Sequence, residues 1–535
     1  MKKFKHLSAS IECSAGSTPT VSTLKRFITM LSAMGYTELY LGLTDAYKID
    51  SEPYFNYKRG GYTTADLNEL DAWAKSCGIE LIGTIQTLGH LDYLERHESF
   101  RELMDTHNIL MVGDERVYAL VDKMFAAISA GLSSRRIHVG FDECWGLGTG
   151  NYLKKNGPAD KKELLLRHLR RVVEISRKYG YTCEIWHDML VETDNTKVTS
   201  ADVRAALPDD VTVWYWEYWE KNEDVLRAKL DDMAKYADKL GFAGTAFKCG
   251  SMTSLNVFSM ARLLPQMKIA AEKGLDSFMV TLWSDNGAWV HDYAVLPSLY
   301  ACAEYASGAW DGTGAPDKDR FTELTGGDYD ALMSLDFLDD PFRRCPTDWH
   351  GNRSFWITLT DLFNGGWDLM LDPETPAAYR GLSAEYAAVA EADENGPYAH
   401  LFRSASLFAL FLSYKSTLGV EIRRAYKAGD KQALSGCLLQ LAVLRQTLAD
   451  YIPVYEDAWN RDNQPFGLEL DQMFLGMQDV RLAYVDRCIR AYVDRGEPIR
   501  ELDSDTIMPD IPSSANEDSY WNSNWKTLVS NCGLW

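Results

Sequence analysis

RIHVGFDECW, residues 136–145, opens as a short apolar run, passes through a glycine and then presents two adjacent carboxylates. KELLLRHLRRVVEISRKYG (162–180) follows, with apolar residues at helical spacing and a glycine at its end. CEIWHD (183–188) is again a short, mostly apolar run. Strand, helix, strand is the unit that joins parallel strands, because a parallel pair needs a long crossover. Strands buried on both faces are apolar throughout, as these are.

The same alternation extends in both directions. LSASIEC (7–13), ELYLGL (38–43) and ELIGTI (80–85) precede it; VTVWYW (211–216), GTAFKC (244–249) and SFMVTLW (277–283) follow. Amphipathic stretches such as TLKRFITMLSAMG and ADLNELDAWAKSCG separate them, each closing near a glycine helix stop, Gly35 and Gly78. Eight strands with eight helical segments predict a (β/α)8 barrel, the TIM barrel, over residues 1–315. The first strand lacks a GxGxxG turn, which argues against a dinucleotide-binding sheet. Long connections after strands two, three and four (44–62, 88–114 and 144–160) would build the active face. From about 330 the strand signals fade and helical periodicity dominates, so residues 330–500 are expected to form an all-α-helical C-terminal domain. Residues 501–535 form a polar tail carrying Trp521, Trp525 and Trp535, rings expected to dock rather than stay in water.

The 535 residues carry a formal net charge of -22, which argues against nucleic acid and acidic membranes as partners. No apolar segment is long enough to span a bilayer, and the N-terminus lacks the apolar run of a signal peptide. The 10 cysteines are scattered without a CxxC pair and read as thiols of a reducing compartment, so a cytoplasmic location is expected. No HExxH or clustered His/Cys pattern points to a metal, and no cofactor is implied. The helical domain offers faces that suit a homodimer.

Asp142 and Glu143 sit where a barrel strand delivers side chains to the reaction face, and a charge beside a buried strand is costly without a task or a partner. Trp186, Trp216 and Trp283 each fall near a strand's C-terminal end, either as core packing or as a pocket wall.

These segments resemble glycoside hydrolase family 20, the β-N-acetylhexosaminidases. His138 to Glu143 is similar to the family's HxGxDE signature, and GGYTTADLNELDAWAKSCGIELIGTIQTLGH (60–90) resembles its GxYT…GIE…PGH stretch, ending in Gly89-His90. EIWHDM (184–189) and TLWSDN (281–286) resemble its fifth-strand and terminal-strand segments. Gln86 stands where the family often has a carboxylate, and Leu88 replaces its proline. Glu12 is the nearest polar residue to the usual first-strand arginine, with Arg59 a substitute from the next loop.

The resemblance implies an exo-acting, retaining enzyme that removes a terminal N-acetylhexosamine from a glycan. The sugar's own acetamide oxygen would be the nucleophile. Glu143 would be the general acid and Asp142 would orient the acetamide. Burial and the Asp142 charge would raise the Glu143 pKa. Trp283 would stack under the sugar, Trp186 and Trp216 would enclose the acetamide, and Tyr218, with Tyr215 as a rival, would donate to its oxygen. Asp285 would bind the C4 and C6 hydroxyls, or else cap a helix. His90 and His138 would lie around the carboxylates, with Asp188 in reach of His90. Two other readings stand beside this one: a two-carboxylate glycosidase with Glu217 or Asp188 as nucleophile, and a silent sugar-binding barrel.

Overall fold

The computed structural model describes residues 2–14, 16–191, 196–285, 288–344, 347, 353–392, 396–507. Trp521, Trp525 and Trp535 of the tail lie outside them. Eight parallel strands close into a barrel in sequence order: β1 (His6–Glu12), β2 (Glu38–Gly42), β3 (Glu80–Thr84), β4 (Arg136–His138), β5 (Thr182–Trp186), β6 (Thr212–Trp216), β7 (Leu240–Thr245) and β8 (Ser277–Leu282). Helices follow them, among them α1 (Val21–Met34), α2 (Thr64–Ser76), α3 (Glu115–Gly131) and α4 (Lys161–Arg177). Capping fixes their starts. Thr63 and Asp66 form a reciprocal capping box at α2, and the Asp160 carboxylate accepts from the backbone of Lys162 and Glu163 at α4.

Two strands differ from the sequence expectation. The run 136–141 forms a regular strand only as far as His138; Val139 and Gly140 still bond to β5, and Gly140 and Phe141 then turn the chain with positive φ, 79° and 78°. β7 lies four residues earlier than GTAFKC, on LGFAGT. Its glycines hide it from a search for bulky residues, yet Gly241 is required: a Cβ there would sit 2.5 Å from the Trp214 ring.

Two layers fill the barrel. Toward the N-terminal ends of the strands, Arg136 donates to Glu184 (2.8 Å), to Glu38 and, at 3.3 Å, to Glu80. Tyr40 and Trp214 donate to the other Glu184 oxygen at 2.8 and 2.6 Å. Above this polar layer Tyr40, Ile82, Trp186, Trp214, Ala243 and Met279 form an apolar cluster, against which Trp216 and Trp283 pack.

The chain divides into two compact units. The first comprises residues 1–246, 260–283 and 299–316; the second comprises 247–259, 284–298 and 317–535. The second unit is helical, with the long helices α5 (Thr375–Ala392), α6 (Ala399–Lys427), α7 (Lys431–Asp462) and α8 (Leu468–Arg495). In α8 the buried residues Leu468, Asp471, Leu475, Gln478, Leu482, Val485 and Ile489 form an inner row at three- and four-residue spacing. Leu470, Met473, Val480 and Tyr484 form an outer row that is exposed. No helix among the described residues is long and apolar enough to cross a membrane.

Candidate active site

The chain leaves β4 through a strained turn. Gly140 must be glycine, because a Cβ there would overlap the Gln86 side chain. Phe141 at φ 78° and Glu143 at φ 50° hold conformations that non-glycine residues avoid. Such strain costs about 1–3 kcal/mol per residue and persists only where packing imposes it. Phe141 is buried and packs on the His168 ring, with centroids 5.6 Å apart. This turn sets two neighbouring carboxyls in different surroundings: Asp142 is largely enclosed, whereas the Glu143 side chain is 49% exposed. Burial of Glu143, on which the expected rise in its pKa partly rested, is therefore not found.

Asp142 is gripped from β3. Gln86 Nε2 donates to its Oδ1 at 3.2 Å, and His90 Nε2 lies 3.2 Å from its Oδ2. The same His90 nitrogen is 3.6 Å from Glu143 Oε2, so one ring bridges the pair. Burial opposes ionisation of Asp142, but the charge and hydrogen bond of His90 outweigh it and hold its pKa below the usual carboxylate value. Asp188, just beyond β5, closes the cluster from beneath. Its carboxylate accepts from the Glu143 backbone N–H at 2.8 Å and from Trp216 Nε1 at 3.3 Å. Burial, and then the negative charge of Asp142, push the Asp188 pKa up to about 7.

A continuous aromatic wall adjoins the carboxylates. The Trp186 ring lies 5.9 Å from Trp283, and Trp283 Nε1 donates to the Tyr218 hydroxyl at 2.9 Å. Tyr218 in turn stacks on Trp216, 5.1 Å away and 19° from parallel. Trp186 Nε1 is buried without a hydrogen-bond partner. Loop 144–152, which follows Glu143, is fixed by Asp105. That buried carboxylate accepts from the backbone N–H groups of Gly148 (2.6 Å), Gly150 (3.2 Å) and Tyr152 (2.7 Å).

The expected site residues fare differently. Asp142, Glu143 and His90 come together, as do Trp186, Trp216, Tyr218 and Trp283. Glu12 ends β1 and accepts from the backbone and hydroxyl of Ser14. Arg59 is engaged by Asp45 at 2.6 Å and by the Ser14 carbonyl at 2.6 Å. Asp285 is an exposed residue of the second unit. His138 is a packing residue: its ring lies 4.3 Å from Trp186 and its Nδ1 accepts from the Gly140 N–H, while burial lowers its pKa to about 3. Tyr215 donates to Glu217 at 3.4 Å, on the side of β6 away from Trp216, so it is separated from the aromatic wall. Glu217 is an ion-pair partner of Lys229 and accepts from the backbone of Trp219 and Glu220. Sequence reasoning assigned no role in the site to Gln86 and missed Asp105 altogether. The signal for Gln86 was its place two residues past β3. Asp105 has no local signal, since its partners lie more than 40 residues away in sequence.

Among the described residues, one grouping has metal-ligand spacing: His291, His400 and Asp462 in the second unit. His291 Nδ1 already accepts from the Tyr293 N–H, so its Nε2 carries the proton and donates to Asp462 at 2.9 Å. That tautomer fits a capping histidine rather than a ligand.

Two family models match the chain. "Glycosyl hydrolase family 20, catalytic domain" matches residues 19–234 and "Glycoside Hydrolase 20C C-terminal domain" matches residues 330–521. Hexosaminidase D from Homo sapiens is 25% identical over 315 residues, 54% of this chain and 63% of the human protein. Hexosaminidase D from Bos taurus is 26% identical over 246 residues, 44% of this chain and 69% of the bovine protein. A solved β-N-acetylhexosaminidase from Bacteroides fragilis is 16% identical with a TM-score of 0.45, covering 60% of this chain and 69% of that one. With one model over the part of the barrel from α1 to β6 and a second over the helical region, both of the same family, the chain belongs to glycoside hydrolase family 20.

Proposed function

We propose that this protein is an exo-acting β-N-acetylhexosaminidase, removing terminal β-linked GlcNAc or GalNAc from glycans with retention of configuration. The observation that carries the reading is the unequal pair: Asp142 held ionised by Gln86 and His90, next to an accessible Glu143. Both carboxyls lie against one His90 nitrogen, at 3.2 and 3.6 Å, whereas an acid and a protein nucleophile face each other across the glycosidic bond, about 5–5.5 Å apart. The adjacent pair suits a reaction whose nucleophile arrives with the substrate.

In the first step the 2-acetamido oxygen attacks the anomeric carbon while the bond to the leaving oxygen breaks. Glu143 gives its proton to that oxygen. Positive charge develops on the acetamide nitrogen, and the fixed negative charge of Asp142 stabilises it and orients the N–H. In the second step Glu143, now a carboxylate, takes a proton from water. The water oxygen bonds to the anomeric carbon as the acetamide oxygen departs. Two inversions give retention. The Tyr218 hydroxyl, which accepts from Trp283, is assigned to donate to the acetamide oxygen. Trp186 and Trp216 wall the acetamide, and Trp283 supports the sugar ring. Glu12 is assigned to sugar hydroxyls. No metal or other cofactor takes part.

The two-carboxylate reading loses its Glu217 version, because that group is neutralised by Lys229. Its Asp188 version is countered by the hydrogen bonds that turn this carboxylate toward the protein backbone. A cytoplasmic setting and a homodimer belong to the proposal. The first rests on the cysteine thiols and the second on the exposed outer row of α8. A monomer in sedimentation removes the dimer. The activity itself is tested with paired aryl β-GlcNAc and β-GalNAc substrates on wild type and Asp142→Asn. Release of aryl alcohol by the wild type, lost by about 10² or more in the variant, is expected. Equal rates in the two proteins refute the role of Asp142, and an inactive wild type refutes the enzyme.

A further inference from the structure

The catalytic face carries aromatic rings that the sugar-cleaving pocket does not use. Trp145 follows Glu143 by two residues and is 49% exposed. Its backbone N–H donates to the Glu143 carbonyl at 2.8 Å, so a tight turn sets the Trp145 backbone beside the acid. In the loop after β2, Tyr54 and Tyr57 are 49% and 53% exposed. Tyr54 stacks on His97 at 5.2 Å and 27°, and Tyr57 meets Tyr54 at 6.0 Å.

These rings are not on slack chain. Phe55, between the two tyrosines, is fully buried and packs on Tyr47 and Tyr93, at 5.1 and 6.0 Å. Loop 144–152 hangs on Asp105 of the β3 loop. The β2, β3 and β4 loops are neighbours around the rim, because the strands are neighbours in the barrel. Single exposed apolar side chains are ordinary, but the Tyr54–Tyr57–His97 cluster of the β2 and β3 loops, together with Trp145 on a β4 loop tied to the β3 loop, has the character of a binding surface.

We propose that Trp145, together with the Tyr54–Tyr57–His97 cluster, forms a leaving-side subsite for the sugar rings of a neutral oligosaccharide. The inference rests on the proposed activity and specifies its substrate. The oxygen that receives the Glu143 proton belongs to the leaving sugar, so that sugar must lie on the Glu143 side of the pocket, where Trp145 stands. A pyranose presents an apolar C–H face that an exposed indole or phenol ring can cover, and rigid rings lose little entropy in doing so. The enzyme therefore selects chains with at least two sugars beyond the bond it cuts.

The test compares kcat/KM for chitotetraose and for N-acetylglucosaminyl azide, whose leaving group has no ring. Trp145→Ala is expected to lower the value for chitotetraose by about 5- to 10-fold more than the value for the azide. Tyr54→Ala combined with Tyr57→Ala should give a smaller loss in the same sense. Trp145→Phe keeps a stacking face and should recover most of the difference. A loss equal on both substrates, or no loss on either, overturns the subsite while leaving the activity intact. A wild type that cleaves neither substrate overturns the activity, and the subsite with it.

Discussion

At the N-terminal end of the barrel Glu38, Glu80 and Glu184 gather around Arg136, whereas at the C-terminal end Asp142 and Glu143 lie against the His90 ring and Asp188 accepts from the Glu143 N–H and Trp216 Nε1. Both ends enclose acidic groups. At the first, hydrogen bonds from His6 and the Arg136 charge overcome burial and hold the Glu38 pKa down at about 2. At the second, burial and the nearby Asp142 push Asp188 up to about 7. Carboxylates matched by a guanidinium are settled and structural. Carboxylates crowded with too little positive charge are held in readiness, and burial of that kind is where chemistry is found.

The largest expected effect breaks the reactive end. Glu143→Gln should lose about 10²–10⁴ in turnover on a substrate with a poor leaving group, while the melting temperature stays near that of the wild type. Near-normal turnover contradicts the role of the acid. Arg136→Met breaks the structural end. It leaves Glu38 and Glu184 buried without their cation and should cost about 3–5 kcal/mol in denaturant unfolding. A cost below 1 kcal/mol would show that the polar layer is not held by this pair.

A smaller effect is expected from Asp105→Ala, which strips three backbone N–H groups of their acceptor. About 1–3 kcal/mol of stability should go, and kcat should fall as loop 144–152 loosens. The smallest effect sharpens the comparison through pH. The Glu38 pKa is depressed, so its stabilisation is present above about 4.5 and is lost as pH falls toward about 2. The Asp188 pKa is raised, so the folded state binds a proton that the unfolded state has lost, and stability falls as pH rises from about 4 to about 7. Asp188→Asn should therefore compare better with wild type at pH 8 than at pH 5, by about 1 kcal/mol or more. No pH dependence in that difference would mean that Asp188 titrates normally.

The barrel and its reactive pair were legible because both depend on local pattern. Eight apolar runs at helix-separated spacing leave few other folds, and HVGFDE, residues 138–143, carries the resemblance to glycoside hydrolase family 20. What escaped depends on distant partners. The glycines of β7 make sense only with the Trp214 ring lying over Gly241. Asp105 matters through backbone groups on another loop. The exposure of Glu143 goes with positive φ at Phe141 and at Glu143 itself, a turn that the apolar run before it does not announce.

The central claim is that the substrate supplies the nucleophile and Asp142 serves it. Inhibition by a thiazoline mimic of the cyclised acetamide tests this most directly, measured on wild type and on Asp142→Asn. The account predicts that wild type binds the mimic at least about 10²-fold more tightly than N-acetylglucosamine, as for other mimics of a reaction's high-energy state. It further predicts that Asp142→Asn loses most of that advantage. A thiazoline bound no better than the free sugar, or held equally by both proteins, would contradict it.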